Sequence, residues 1–135
     1  MTMNRREARK QAFILLFQYK FQPEDTESLL ADFFSEHNAG MQREYIDAVV
    51  RGAVTNKAEI DNRLSEYAKD WRLDRISSVS LAALRLGAYE MLYMEDIPPA
   101  VSVNEAVGIV KEYEGDEAAS FVNGILGGMQ KALKN

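Results

Sequence analysis

Apolar residues recur at steps of three and four along nearly the whole of this 135-residue chain, and no stretch sustains the every-other-residue alternation of a half-buried strand. A chain patterned in this way buries its stripes by packing helix on helix, so the expected fold class is all-α. From Asn4 to about Gln22, Ala8, Ala12, Leu15, Leu16 and Tyr19 mark one stripe and Phe13, Phe17 and Phe21 a second, with Pro23 as the stop. Glu24, Asp25 and Glu27 suit the first turn of a second helix, whose apolar face is Leu29, Leu30, Phe33, Phe34 and His37 and whose natural end is Gly40. Tyr45, Ile46, Val49, Val50 and Ala53 mark a third helix, and Ile60, Leu64, Tyr67, Ala68 and Trp71 a fourth.

Ser77 or Ser78 caps a fifth helix that runs to about Met94, with Leu81, Leu84, Ala88 and Met91 on one face. After the break at Asp96-Ile97-Pro98-Pro99, Ser102 and Glu105 have capping-box spacing. They open a sixth helix through Val107, Val110 and Tyr113, closed by Gly115. Asp116 is placed to cap the last helix, which turns Phe121, Ile125, Met129 and Leu133 inward. The expected organisation is one domain over 1–135 with two helical subdomains, about 1–72 and 73–135, divided between Asp70 and Ser77.

Composition narrows the chemistry. With Cys 0 and His 1, disulfides, thiolate catalysis, cysteine metal clusters and most acid–base triads are excluded. His37 reads as a structural or surface histidine, and Glu112, Glu114, Asp116 and Glu117 as a solvated helix junction rather than a divalent-cation site. Gly124, Gly127 and Gly128 lack the preceding strand and the lysine of a phosphate loop, and read as positions that permit close helix packing or weaken the last helix. No catalytic residue, cofactor or metal is expected. No apolar run approaches the roughly 18–20 residues of a membrane span. The start mixes acid with base and has no small-residue cleavage site, so it does not read as a signal peptide, and the expected location is the cytoplasm.

A formal charge of −5 rules out a protein that coats nucleic acid over its whole surface. The charge is uneven, however. The first twenty positions carry Arg5, Arg6, Arg9, Lys10 and Lys20 against Glu7 alone, although cations disfavour the positive end of a helix dipole. On a helix Arg5 and Arg9 form one row and Arg6 and Lys10 a second. Arginine forks match phosphates and guanine edges, and an aromatic face is what single-stranded RNA stacks on. Phe17 or Phe13 supplies that face on the same helix. Four phosphate contacts would give a log–log salt slope of roughly −3.

Four segments then resemble one family. Leu84-Arg85-Leu86-Gly87-Ala88-Tyr89-Glu90-Met91 is similar to the "LR-x-x-x-YEL" stretch of the NusB family of bacterial transcription antitermination factors. The run from Ile97 to Val107 resembles its "P-x-x-V-x-INEAV" segment, and Phe121-Val122-Asn123-Gly124-Ile125-Leu126 its "FVNG-[VI]-L" signature. Arg5-Arg6-Glu7-Ala8-Arg9-Lys10-Gln11-Ala12 is similar to its "RR-x-AR-x-x-A" arm. The four occur in order and span the chain.

The resemblance implies a compact all-helical bundle of about seven helices in two subdomains, without enzymatic activity. It implies binding of boxA-type single-stranded RNA, notably in ribosomal RNA leaders, together with the ribosomal protein NusE. That complex joins the elongating RNA polymerase complex and suppresses premature termination. Carried onto this chain, Arg5, Arg6, Arg9 and Lys10 meet phosphates or base edges, and Phe121 lies beside them as an apolar contact to a base. Phe17 stands where some relatives have tyrosine, and Glu7 interrupts the arm. Arg85 and Glu90 are expected to pair at the junction between subdomains, and Asn104 and Asn123 to satisfy local backbone. By the same analogy Arg75 and an exposed Ser80 are expected at the partner surface, and some relatives pair up, so a homodimer belongs to the expectation. Two other readings stay open: a NusB-like protein-interaction module without RNA binding, and a fragment of an RNA methyltransferase carrying such a domain.

Overall fold

The computed structural model describes residues 3–19, 25–69 and 72–133. Among them every regular element is helical: α1 (Arg5–Tyr19), α2 (Thr26–Glu36), α3 (Arg43–Thr55), α4 (Lys57–Ala68), α5 (Ser78–Tyr93), α6 (Pro99–Glu114) and α7 (Asp116–Leu133), with 3-10 turns at Gly40–Gln42 and Leu73–Arg75. The chain divides into two compact units, Met1–Thr55 and Asn56–Asn135. The roles expected of Lys20, Phe21, Gln22, Pro23, Glu24, Asp70 and Trp71 lie outside the described residues.

In the first unit Asn4 starts α1, its side-chain oxygen accepting the Glu7 N–H at 2.8 Å and its carbonyl that of Ala8 at 2.9 Å. These bonds satisfy amides that the cations of the first turn cannot. α1 and α2 both pack on α3. The core takes Ala8, Ala12, Phe13, Leu15, Leu16 and Tyr19 from α1 and Leu30 and Phe33 from α2. All five α3 residues chosen by periodicity, from Tyr45 to Ala53, are buried with them. Arg51 of α3 pairs with Glu27 of α2 and, one turn back, with Asp47 at 2.9 Å.

α2 stops short of Gly40. His37 is its C-cap, already extended, and the ring stacks on Phe33 at 4.3 Å with Nδ1 3.1 Å from the Phe33 carbonyl oxygen. That contact satisfies a terminal carbonyl one turn before the glycine. Gly40 uses its positive φ of 57° to enter the 3-10 turn that leads into α3.

The second unit is arranged around α5, against which α4, α6 and α7 all pack. The single inward face expected for α5 is therefore corrected: every residue from Ala82 to Ala88 is buried, while Leu81 and Met91 are only half-buried. A helix enclosed by three others has no polar side to present. Gly87 lets α7 approach, since a Cβ there would stand 2.8 Å from Leu126 Cδ1. The two charged groups inside are paired. Arg85 donates through Nε and Nη2 to both oxygens of Asp61 on α4, at 2.9 and 2.8 Å, and Glu90 accepts the Ser102 hydroxyl at 2.7 Å. Both pairs lie within this unit, not at a junction between subdomains.

That last bond also corrects the capping box. α6 begins at Pro99, where a missing N–H costs nothing, so Ser102 already stands inside the helix and its hydroxyl serves Glu90. Gly115, with φ 93°, ends α6 as expected, and its carbonyl accepts the Ala119 N–H at 3.1 Å. Asp116 is thus the first residue of α7 rather than its cap. The inward face of α7 is Ala119, Val122, Ile125, Leu126 and Met129, whereas Leu133 is exposed and Phe121 half-buried. Of the glycines read as packing positions only Gly128 acts so: a Cβ would meet Tyr67 Cδ1 at 3.1 Å, and around Gly124 and Gly127 nothing lies within 4 Å. The packing of α4 on α5 and α7 places it in the second unit, so the division falls after Thr55 rather than near residue 72.

Candidate nucleic-acid interface

The cations of α1 do not form one flat arm. At about 100° per residue, Arg6, Lys10 and Phe17 fall within about 20° of a common line, a stripe about 16 Å long. Arg6 is exposed, Lys10 half-buried and Phe17 41% exposed. The buried Phe13 ring backs Phe17 at 6.5 Å and an interplanar angle of 29°, which leaves Phe17 as the accessible aromatic face of the pair.

Arg5 and Arg9 turn to the neighbouring face, towards α3. The Arg5 guanidinium carbon lies 4.3 Å from the centroid of the Tyr45 ring, and its Nε donates to Gln42 Oε1 at 2.6 Å. Arg9 reaches the same ring at 5.7 Å and is only 4% exposed. The structure therefore keeps Arg6, Lys10 and Phe17 on one stripe of the helix, holds the half-buried Arg5 on the neighbouring face and takes Arg9 into the interior. Tyr45 and Gln42 carry no motif: a tyrosine at a core position of α3 and a glutamine in a turn are legible only once α1 is seen against them.

In the second unit Phe121, Arg75 and Ser80 line one hollow of about 430 Å³, together with Ile76, Glu114 and Glu117. Arg75 is exposed on the 3-10 turn. Ser80, expected at the surface, is 3% exposed. Its hydroxyl and that of Ser77 both donate to Glu114 Oε1, at 2.8 and 2.7 Å, while Ser77 Oγ also accepts the Ser80 N–H and so caps α5. Two carboxylates against one guanidinium favour ammonium, guanidinium or exocyclic amino groups over phosphates. Phe121 adds an apolar wall. The sequence placed Phe121 with one ligand and Arg75 and Ser80 with another; in the fold they share one recess. Asn104 and Asn123 are both exposed.

Among the described residues no three His, Asp or Glu side chains are grouped to hold a metal ion, and no helix is long and apolar enough to cross a membrane. Helices alone, a cationic first helix and a mixed-charge recess on a separate unit define a small all-α protein with surfaces for binding. The NusB family model matches residues 6–131, and the chain belongs to that family. It is 40% identical over 133 residues to the transcription antitermination protein NusB of Clostridium novyi (strain NT), covering 96% of this chain and 100% of that one. Among solved structures, T. maritima NusB matches with a TM-score of 0.85 at 34% identity, over 97% of this chain and 93% of its own. A chain in the crystal structure of the antitermination factors NusB and NusE in complex with dsRNA matches at 0.83 and 29%, over 95% and 96%.

Proposed function

We propose that this chain is a transcription antitermination factor that binds boxA-type RNA together with NusE and carries it into the elongating RNA polymerase complex, preventing premature termination, notably in ribosomal RNA operons. The observation that carries this reading is the family match from residue 6 to 131, which begins inside the arginine-rich helix and leaves almost none of the chain unaccounted for. Arg5, Arg6 and Lys10 supply the charge for phosphates, and Phe17 a ring on which a base stacks. Phe121 offers a second apolar contact, and the recess that it shares with Arg75 and Ser80 takes a cationic group of the partner. The protein acts in the cytoplasm by binding, without a reaction of its own.

The test is an anisotropy titration of labelled boxA-type RNA, single- and double-stranded, with and without NusE. Tighter binding of the single strand when NusE is present is the expected result. The absence of RNA binding at low salt with NusE saturating would overturn the reading. Equal affinity for the duplex would overturn its base-stacking part, since paired bases have no free face to lay on Phe17.

A further inference from the structure

Two contacts set the orientation of Arg5. The aromatic face of Tyr45 fixes the plane of the guanidinium, and the short bond from Nε to Gln42 fixes rotation within that plane. Both contacts use the face and the inner edge. Among the described residues the two outer nitrogens, Nη1 and Nη2, have no hydrogen-bond or ion-pair partner. What is presented is the fork that matches two oxygens of a phosphate.

We propose that Tyr45 and Gln42 are positioning residues that hold Arg5 as a rigid bidentate fork for a phosphate of the RNA backbone. The inference rests on the RNA-binding reading above and adds to it two residues of α3 and its leading turn. A free arginine loses rotamer freedom when it binds, whereas this one is already ordered. Removing either support therefore weakens binding by roughly threefold to tenfold, the scale of immobilising one long side chain. Charge is untouched by that loss, so the salt dependence stays as it was. This separates positioning from charge: Arg5→Ala removes a phosphate contact outright and makes the log–log salt slope shallower by about 0.7.

The experiment is a salt series of RNA titrations on the full chain with NusE, using labelled boxA-type RNA, with circular dichroism melts of each variant alongside. Gln42→Leu and Tyr45→Leu should lose threefold to tenfold in affinity at the slope of the unsubstituted protein, and Tyr45→Phe should recover most of the loss because the ring remains. Gln42 is only half-buried, so its variant keeps the proposal testable even where Tyr45→Leu lowers the melting temperature. The proposal is overturned if Gln42→Leu binds like the unsubstituted protein, or if its slope falls as that of Arg5→Ala does. Failure of the unsubstituted protein to bind RNA, or indifference to both Arg5→Ala and Arg6→Ala, would remove the RNA reading itself and this inference with it.

Discussion

A guanidinium that is 4% exposed and lies over a tyrosine ring acts mainly through packing and cation–π attraction, while one in water acts through its field. Arg9 and Arg6 divide along that line. Arg9→Ala should cost about 1–2 kcal/mol in urea unfolding, whereas Arg6→Ala should stay within about 0.5 kcal/mol of the parent and lose RNA affinity. Equal stability of the two variants would contradict the placement of Arg9. The same logic governs Glu90, a carboxyl with no exposure whose partner Ser102 is buried beside it. Ser102→Ala removes one donor from that buried carboxylate, and the expected loss is about 1–3 kcal/mol at an unchanged dependence on urea. A neutral result would mean that another donor takes over.

Helices meet through a few polar clamps here, and each clamp makes its own prediction. Ser77 both caps α5 and holds Glu114 of α6, so Ser77→Ala should lower stability by about 1–2 kcal/mol, with α5 amides near Ser80 exchanging faster. Between α2 and α3 the clamp is electrostatic. The hydrogen bond from Arg51 holds the Glu27 carboxyl below the ordinary carboxylate range. A group depressed in the folded state adds stability above its unfolded pKa of about 4.3 and loses it as the pH falls through the acid range. Glu27→Gln should therefore flatten the acid side of a stability–pH profile at low salt. Because the pair sits in water, added salt should shrink the difference between parent and variant, and a difference insensitive to salt would point to some other cause.

For the molecule as a whole, the salt dependence of RNA binding counts the cations that reach phosphate. With Arg9 inside, three remain on α1, and the log–log slope should be about −2 rather than the roughly −3 of four. A measured slope near −3 would return Arg9 to the ligand. Much of this was legible in the residue order. A spacing of three and four identifies a helix wherever the chain runs, which is why the α3 face from Tyr45 to Ala53 is legible without the fold, and motifs from one end to the other identify the family. Periodicity is a property of one helix against water, though, and α5 shows where it stops: enclosed by three neighbours, it is buried on most sides, Arg85 and Glu90 included, and gives no single face to read. Partners distant along the chain are decided by packing as well. Ser102 abandons a cap for Glu90, α4 joins the second unit through Asp61 and Arg85, and Arg9 goes inward while Arg6 stays out, because a hydrogen bond or a ring contact depends on which helices have been brought side by side, and no local rule in the sequence carries that information.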